Sequence, residues 1–199
     1  MIRRIWTLLK NWRAAKSAFS TLSYVYGEGN CYMDALGGLS EAELEGLLSW
    51  LPATGTLVEM GTLFGLAAKR IAEARPGLKI VAVDNFCWNP FGLPPALHRE
   101  FTEKILHAEL KRGQVELCAM DSDRFRATCA FVPDAVFLDA EHSYAAVKAE
   151  IDWAKRLGVK TICGHDYGNP NPAFGVTKAV DEAFGALEVR GMCWKGARP

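Results

Sequence analysis

The chain lacks several features that would settle its class at once. Its six cysteines, Cys31, Cys87, Cys118, Cys129, Cys163 and Cys193, include no C-x-x-C pair. That argues against a zinc knuckle or a disulfide framework and for buried, reduced thiols in a cytoplasmic protein. Neither charge is in excess: Lys+Arg and Asp+Glu are 23 each. A balanced chain has no general drive toward nucleic acid. No apolar run reaches spanning length, and charges interrupt the apolar stretch at the start of the chain, against a cleaved signal peptide. Repeats and low-complexity segments are missing too.

What is present fits one globular domain with a substantial core: 199 residues, half of them hydrophobic. Residues 1–38 form an N-terminal amphipathic helix and connector, and 39–199 the main domain. In the helix, Ile2, Ile5, Trp6, Leu8, Leu9 and Trp12 recur at helical spacing among Arg3, Arg4, Lys10, Arg13 and Lys16. Segment 1–19 either packs on protein, its own domain or a second copy in a homo-oligomer, or makes a peripheral membrane contact. A capping box at Ser40 and Glu43 then opens a helix over "LSEAELEGLLSWL".

From there strands and helices alternate. "TLVEM", "KIVAVD", "VELCAM", "DAVFLD" and "KTICGHD" read as strands, and "LEVRGMCWKG" as one or two more. Helices are expected over "GLAAKRIAEA", "ALHREFTEKILHAEL", "SYAAVKAEIDWAKRLG" and "GVTKAVDEAFG". This alternation implies parallel pairing with right-handed crossovers, hence an open, doubly wound α/β sheet. Ligands of such sheets sit beyond the carboxyl ends of the strands.

At the first such end stands "LVEMGTLFG". A dinucleotide fingerprint would require glycine where Leu63 and Leu66 stand. What remains is Glu59, Gly61, Thr62 and Gly65, with an acid that opposes a pyrophosphate and suits a cationic ligand. Asp84, with Asn85 after it, closes the second strand about twenty residues on, where an acid reaches ribose hydroxyls. Asp121 and Ser122 follow the third strand, placed for an adenine. S-adenosyl-L-methionine matches this row: it carries a ribose, an adenine, an ammonium and a sulfonium, and no phosphate. The bland alternative is that these acids merely cap the following helices.

A second cluster comes from the next two strand ends: Asp139 and His142, then His165 and Asp166. Two roles are open. Asp139 and Asp166 hold a divalent cation such as Mg²⁺, or His142 or His165 removes a proton from an acceptor without metal.

The stretches "VEMGTLFG", "VAVDNF", "VFLDAEHSY", "GHDYGNP" and "GVTKAVDEAFG" together resemble the class I S-adenosylmethionine-dependent methyltransferases, in the group with D-x-x-H-S-Y and G-H-D-Y motifs. The resemblance covers roughly residues 40 to 185. It implies a seven-stranded, Rossmann-like sheet, with Glu59, Gly61 and Asp84 at the cofactor and Asp121 and Asp139 further along the same rim. It also implies transfer to oxygen of a small molecule. Related enzymes follow the second metal acid with Asn or Asp, whereas Tyr167 follows Asp166 here.

The loop "NFCWNPFGLPPALHREF" carries Phe86, Trp88 and Phe91 and is a candidate wall for an aromatic or sugar-containing acceptor. Two other functions stay open on this architecture: a nicotinamide-dependent oxidoreductase, and a non-catalytic, membrane-associated binding protein.

Overall fold

Ser40 and Glu43 open helix α1 (Glu41–Trp50) as the capping box predicts. The Ser40 hydroxyl accepts the Glu43 N–H, and the Glu43 carboxylate accepts the Ser40 N–H at 3.1 Å, so two donors that a helix start leaves orphaned are satisfied. The computed structural model describes residues 38–197. Segment 1–19, most of the connector and Cys31 lie outside the described residues.

The chain continues through β1 (Thr54–Met60), α2 (Leu66–Ala74), β2 (Gly77–Asp84), α3 (Pro95–Ile105), α4 (His107–Lys111), β3 (Val115–Ala119) and α5 (Ser122–Thr128). Then follow β4 (Ala135–Leu138), α6 (Tyr144–Leu157), β5 (Thr161–Gly164), α7 (Val176–Ala183), β6 (Leu187–Arg190) and β7 (Cys193–Gly196). The strands form one sheet in the order β3-β2-β1-β4-β5-β7-β6. The first five are parallel, and β7 runs antiparallel to both β5 and β6. The winding reverses between β1 and β4, and a doubly wound sheet opens its ligand crevice there.

Alternate residues of each strand feed two cores. Leu57, Ile80 and Phe137 meet Leu47 of α1 and Ile71 of α2 on one face. Val58, Val81 and Val136 meet Ile151 of α6 and Val180 of α7 on the other. Both faces are covered, which is why β4 reads as an unbroken apolar run, Ala-Val-Phe-Leu, every residue buried. Free Cys163 and Cys193 are buried between these elements. Cys87 is exposed, whereas Cys118 and Cys129 are half-buried. Among the described residues no helix is long and apolar enough to cross a membrane.

Two expectations about helices need correction. The single helix expected over 96–110 is two, α3 and α4, joined at Leu106. Leu106 is fully buried beneath the turn after β1, so close that a Cβ on Gly65 would meet its side chain at 2.7 Å. Packing overrides helix propensity there. The second is α5, a short helix missing from the sequence reading, whose single buried residue is Phe125.

Candidate active site

The end of β1 makes its sharp turn at Gly61, whose φ is +88°. A Cβ there would sit 2.0 Å from the Asp139 carbonyl oxygen, so only glycine lets β1 and β4 close at the switch point. Leu63 and Phe86 also have left-handed backbones, at φ 49° and 59°. Such values strain residues with a Cβ and cluster where function holds the chain in place.

Glu59 ends up buried, 1% exposed, with Oε2 accepting the Thr62 hydroxyl at 2.8 Å. Its other oxygen, Oε1, makes no well-aligned hydrogen bond. Burial pushes the carboxyl up to about 8, with Asp139 and Asp84 pushing the same way, against the pull of the Thr62 hydroxyl and, more weakly, the Ala68 N–H. Asp84 takes three backbone N–H groups, from Thr62 at 3.0 Å, Leu63 at 2.8 Å and Phe86 at 2.6 Å. Gly65, at φ 79°, starts α2. Asn85 is exposed and accepts the Cys87 N–H at 2.9 Å.

Asp121 caps α5 by accepting the Arg124 N–H at 2.8 Å. For this acid the bland reading describes the observed contact. Ser122 begins α5 and hydrogen-bonds the buried Glu150, which burial pushes up to about 7.

The second cluster converges as expected and gains a member. His142 Nε2 lies 2.8 Å from Asp166 Oδ2 and 3.5 Å from Asp139 Oδ1. Neither oxygen lies along its N–H direction, so this buried nitrogen makes no aligned hydrogen bond. The three side chains each present one ligand atom within 4.8 Å of the others. The His142 ring stacks on Phe174 at 4.3 Å, and the His142 carbonyl accepts the Gly175 N–H at 2.7 Å. A Cβ on Gly175 would meet the Tyr144 nitrogen at 2.3 Å, which accounts for the glycine of "GVTKAVDEAFG". Asp166 is left-handed, at φ 62°, and accepts from Asn169 Nδ2 at 2.5 Å.

His165 Nδ1 lies 3.5 Å from Asp166 Oδ2 and 3.8 Å from Asp139 Oδ1, while Nε2 faces Glu43 Oε1 at 3.4 Å. Glu43 is the member that sequence reasoning missed. It reaches the cluster from α1 and also accepts the Met192 N–H at 2.9 Å. Burial raises its pKa, yet the hydrogen bonds from Met192 and Ser40 hold it below the usual carboxylate range. Its capping-box role was legible; a contact 122 residues away was not.

Charge in this cluster is divided unequally. Burial lowers the pKa of both histidines, but the carboxylates beside them raise His142 to about 10 and His165 to about 9. Asp166 is held well below the carboxylate range by the two imidazoles despite its burial, whereas burial wins at Asp139 and raises it. The carboxylates thus favour the protonated form of His142, and a base's work there requires that proton to leave first.

A pH dependence follows. Both histidines titrate higher when folded than near 6.5 when unfolded. Their stabilisation is fully present below about pH 6.5 and is lost as pH rises toward 9–10. Melting with a chelator present should give a Tm at least about 3 °C lower at pH 9 than at pH 6. The slope should flatten in Asp166→Asn. A wild-type Tm unchanged over that range would refute the assignment.

A cavity of about 270 Å³, lined by Thr56, Lys79, Glu116, Met120 and Phe131 among others, lies between α5 and the strands β2 and β3, and none of the site's acids lines it. In the loop after β2, Phe86 is buried and Phe91 packs on Phe64 at 5.7 Å. Of its three aromatics only Trp88, 71% exposed, stands free for an acceptor.

No family model and no curated protein matches the chain. Solved structures do. A cofactor-bound protein from MTB, Rv0187, is 20% identical over 90% of this chain and 93% of its own, with a TM-score of 0.56. An O-methyltransferase family protein from Burkholderia thailandensis is 17% identical over 99% and 70%, with a TM-score of 0.57. Precorrin-6y C5,15-methyltransferase from Geobacter metallireducens is 13% identical over 78% and 87%, with a TM-score of 0.58. At these identities the likeness is one of fold: a seven-stranded, mostly parallel, Rossmann-like sheet with helices on both faces.

Proposed function

We infer that the chain is an S-adenosylmethionine-dependent methyltransferase that methylates an oxygen of a small molecule. One observation carries this reading: the buried Glu59 carboxyl at the switch point, between Asp84 and Asp139, whose Oε1 makes no well-aligned hydrogen bond. A buried carboxyl oxygen left poorly hydrogen-bonded is costly. A cationic nucleoside supplies donors there, whereas a pyrophosphate supplies only more negative charge. Leu63 also stands where a phosphate cradle needs bare backbone. The similarity to methyltransferase structures supports the same choice.

Methyl transfer is a displacement at carbon, so aligning the acceptor oxygen with the sulfonium methyl supplies much of the rate. As the new C–O bond forms and the S–C bond breaks, the acceptor's proton must go elsewhere. The two carboxylates of the cluster are pushed apart in pKa, and such pairs mark acid and base roles. Asp139, raised, receives the proton, and Asp166 stays ionised.

The cluster also fits a divalent metal, with Asp139, Asp166 and the unaligned His142 nitrogen as ligands. Two carboxylates alone would suit Mg²⁺, but an imidazole in the set favours Mn²⁺ or Zn²⁺. When bound, such an ion lowers the pKa of an acceptor hydroxyl. His142 is then a ligand rather than a base, and Phe174 fixes its ring plane.

Thermal shift tests the cofactor. S-adenosylhomocysteine at about 100 times its Kd should raise Tm by roughly 5–10 °C, and NAD at equal concentration should leave it unchanged. The opposite pattern would replace this reading with the nicotinamide-dependent oxidoreductase.

A further inference from the structure

His98 is fully buried on α3, and both its ring nitrogens face backbone carbonyls. Nε2 lies 3.0 Å from the Leu63 oxygen, and Nδ1 3.3 Å from the Phe86 oxygen. These two residues carry the left-handed backbones of the loops after β1 and β2. Their N–H groups are the ones Asp84 accepts, at 2.8 and 2.6 Å. Leu63 is thus held from both ends, by a carboxylate on its N–H and an imidazole N–H on its carbonyl, while Phe86 is held by the carboxylate and packs its own ring edge-on to the imidazole. Thr102, one turn further along α3, donates its hydroxyl to the same Leu63 oxygen at 2.7 Å. Phe64 and Phe86 close around the ring, at 4.7 and 5.2 Å.

We propose that His98 is a positioning residue: with Asp84 it clamps the two loops that form the nucleoside cleft, so that the cleft is preset before its ligand arrives. This rests on the function inferred above, because the ligand is taken to be S-adenosylmethionine. Left-handed backbone at Leu and Phe is strained and persists only if other contacts hold it. Without the clamp Leu63 relaxes toward negative φ. Asp84 then loses one of its three donors, and the loop after β1 must be ordered by the ligand at the expense of affinity. Burial lowers the pKa of the ring. A neutral imidazole has one N–H to give, which accords with one carbonyl contact being shorter than the other.

The test compares His98→Phe, which keeps ring size and removes both nitrogens, with His98→Gln, which restores a donor. Ile105→Ala, in the same apolar cluster, controls for lost stability. Amide exchange is read at Leu63 and Phe86, and S-adenosylhomocysteine binding by calorimetry. His98→Phe is expected to lose at least about tenfold protection at the Leu63 amide, with a smaller loss at Phe86, and at least about tenfold in affinity. His98→Gln should recover part of each, and Ile105→Ala should keep wild-type affinity and wild-type protection relative to its global stability. Equal loss in Ile105→Ala, or unchanged affinity in His98→Phe, would overturn the clamp. Should the wild type itself fail to bind S-adenosylhomocysteine, the proposed function falls, and the exchange data alone decide whether the clamp exists.

Discussion

Replacing Glu59 by glutamine should move two quantities in opposite senses: the unliganded protein becomes more stable at pH 8, and S-adenosylmethionine binds roughly 10–150-fold more weakly. The stability gain comes from the buried carboxyl. Unfolded, it ionises near 4.3; folded, burial holds its proton until about pH 8. A folded pKa above the unfolded one makes stability fall as pH rises through that window. Glutamine does not titrate, so the advantage of Glu59→Gln grows from about pH 4.5 to about 8 and then levels, reaching about 3 °C in Tm or more. The amide still accepts the Thr62 hydroxyl. The affinity loss comes from the ligand side. The ammonium displaces the proton that burial holds on Glu59; the hydrogen bond to the charged group that then forms is worth about 1.5–3 kcal/mol, and the amide cannot form it. Melting curves from pH 5 to 9 and calorimetric titration check the two halves. Unchanged affinity would mean that Oε1 faces no cofactor, and the inferred function would lose the observation that carries it.

Gly61→Ala should disable both halves of the site through one methyl group. Its Cβ would lie 2.0 Å from the Asp139 carbonyl oxygen and 2.4 Å from the carbonyl carbon. No rotamer relieves this, because the atoms that clash are backbone. The left-handed φ of 88° adds about 1–2 kcal/mol for any residue with a Cβ. The ends of β1 and β4 must move apart, although the Asp139 N–H is bound to the Met60 carbonyl at 2.8 Å and the Gly61 N–H to Val83 at 2.9 Å. The loss should be about 3 kcal/mol or more in denaturant unfolding. S-adenosylhomocysteine and Mn²⁺ binding should disappear together, since the same shift tilts the cofactor turn and displaces Asp139. Survival of either at wild-type strength would show that the turn relaxes without disturbing β4.

Asp84 shows a task beyond the one expected from its place in the sequence. It closes β2 on the predicted rim, but its carboxylate spends three acceptor positions on backbone N–H groups of the surrounding loops. Asp121 likewise stands beyond β3 and caps α5. Strand-end position was readable from the alternation of apolar runs and turns. The direction of each side chain's hydrogen bonds was not, because those bonds are set by loops whose backbone angles no local pattern encodes.

Local chemistry alone determined the architecture of this protein: the capping box of α1, the parallel strands as apolar runs, and the row of acids at their carboxyl ends. Each of these depends on residues within one element and on the chirality of the crossover, so nearest neighbours in the chain suffice. Tertiary structure decided the rest. It broke the expected helix at Leu106 to fill the space under Gly65, brought Glu43 to His165, and set His98 between the carbonyls of Leu63 and Phe86. Those contacts join residues far apart in the chain. They arise from packing density and from the need to pair every buried polar group, which act only once the sheet has closed.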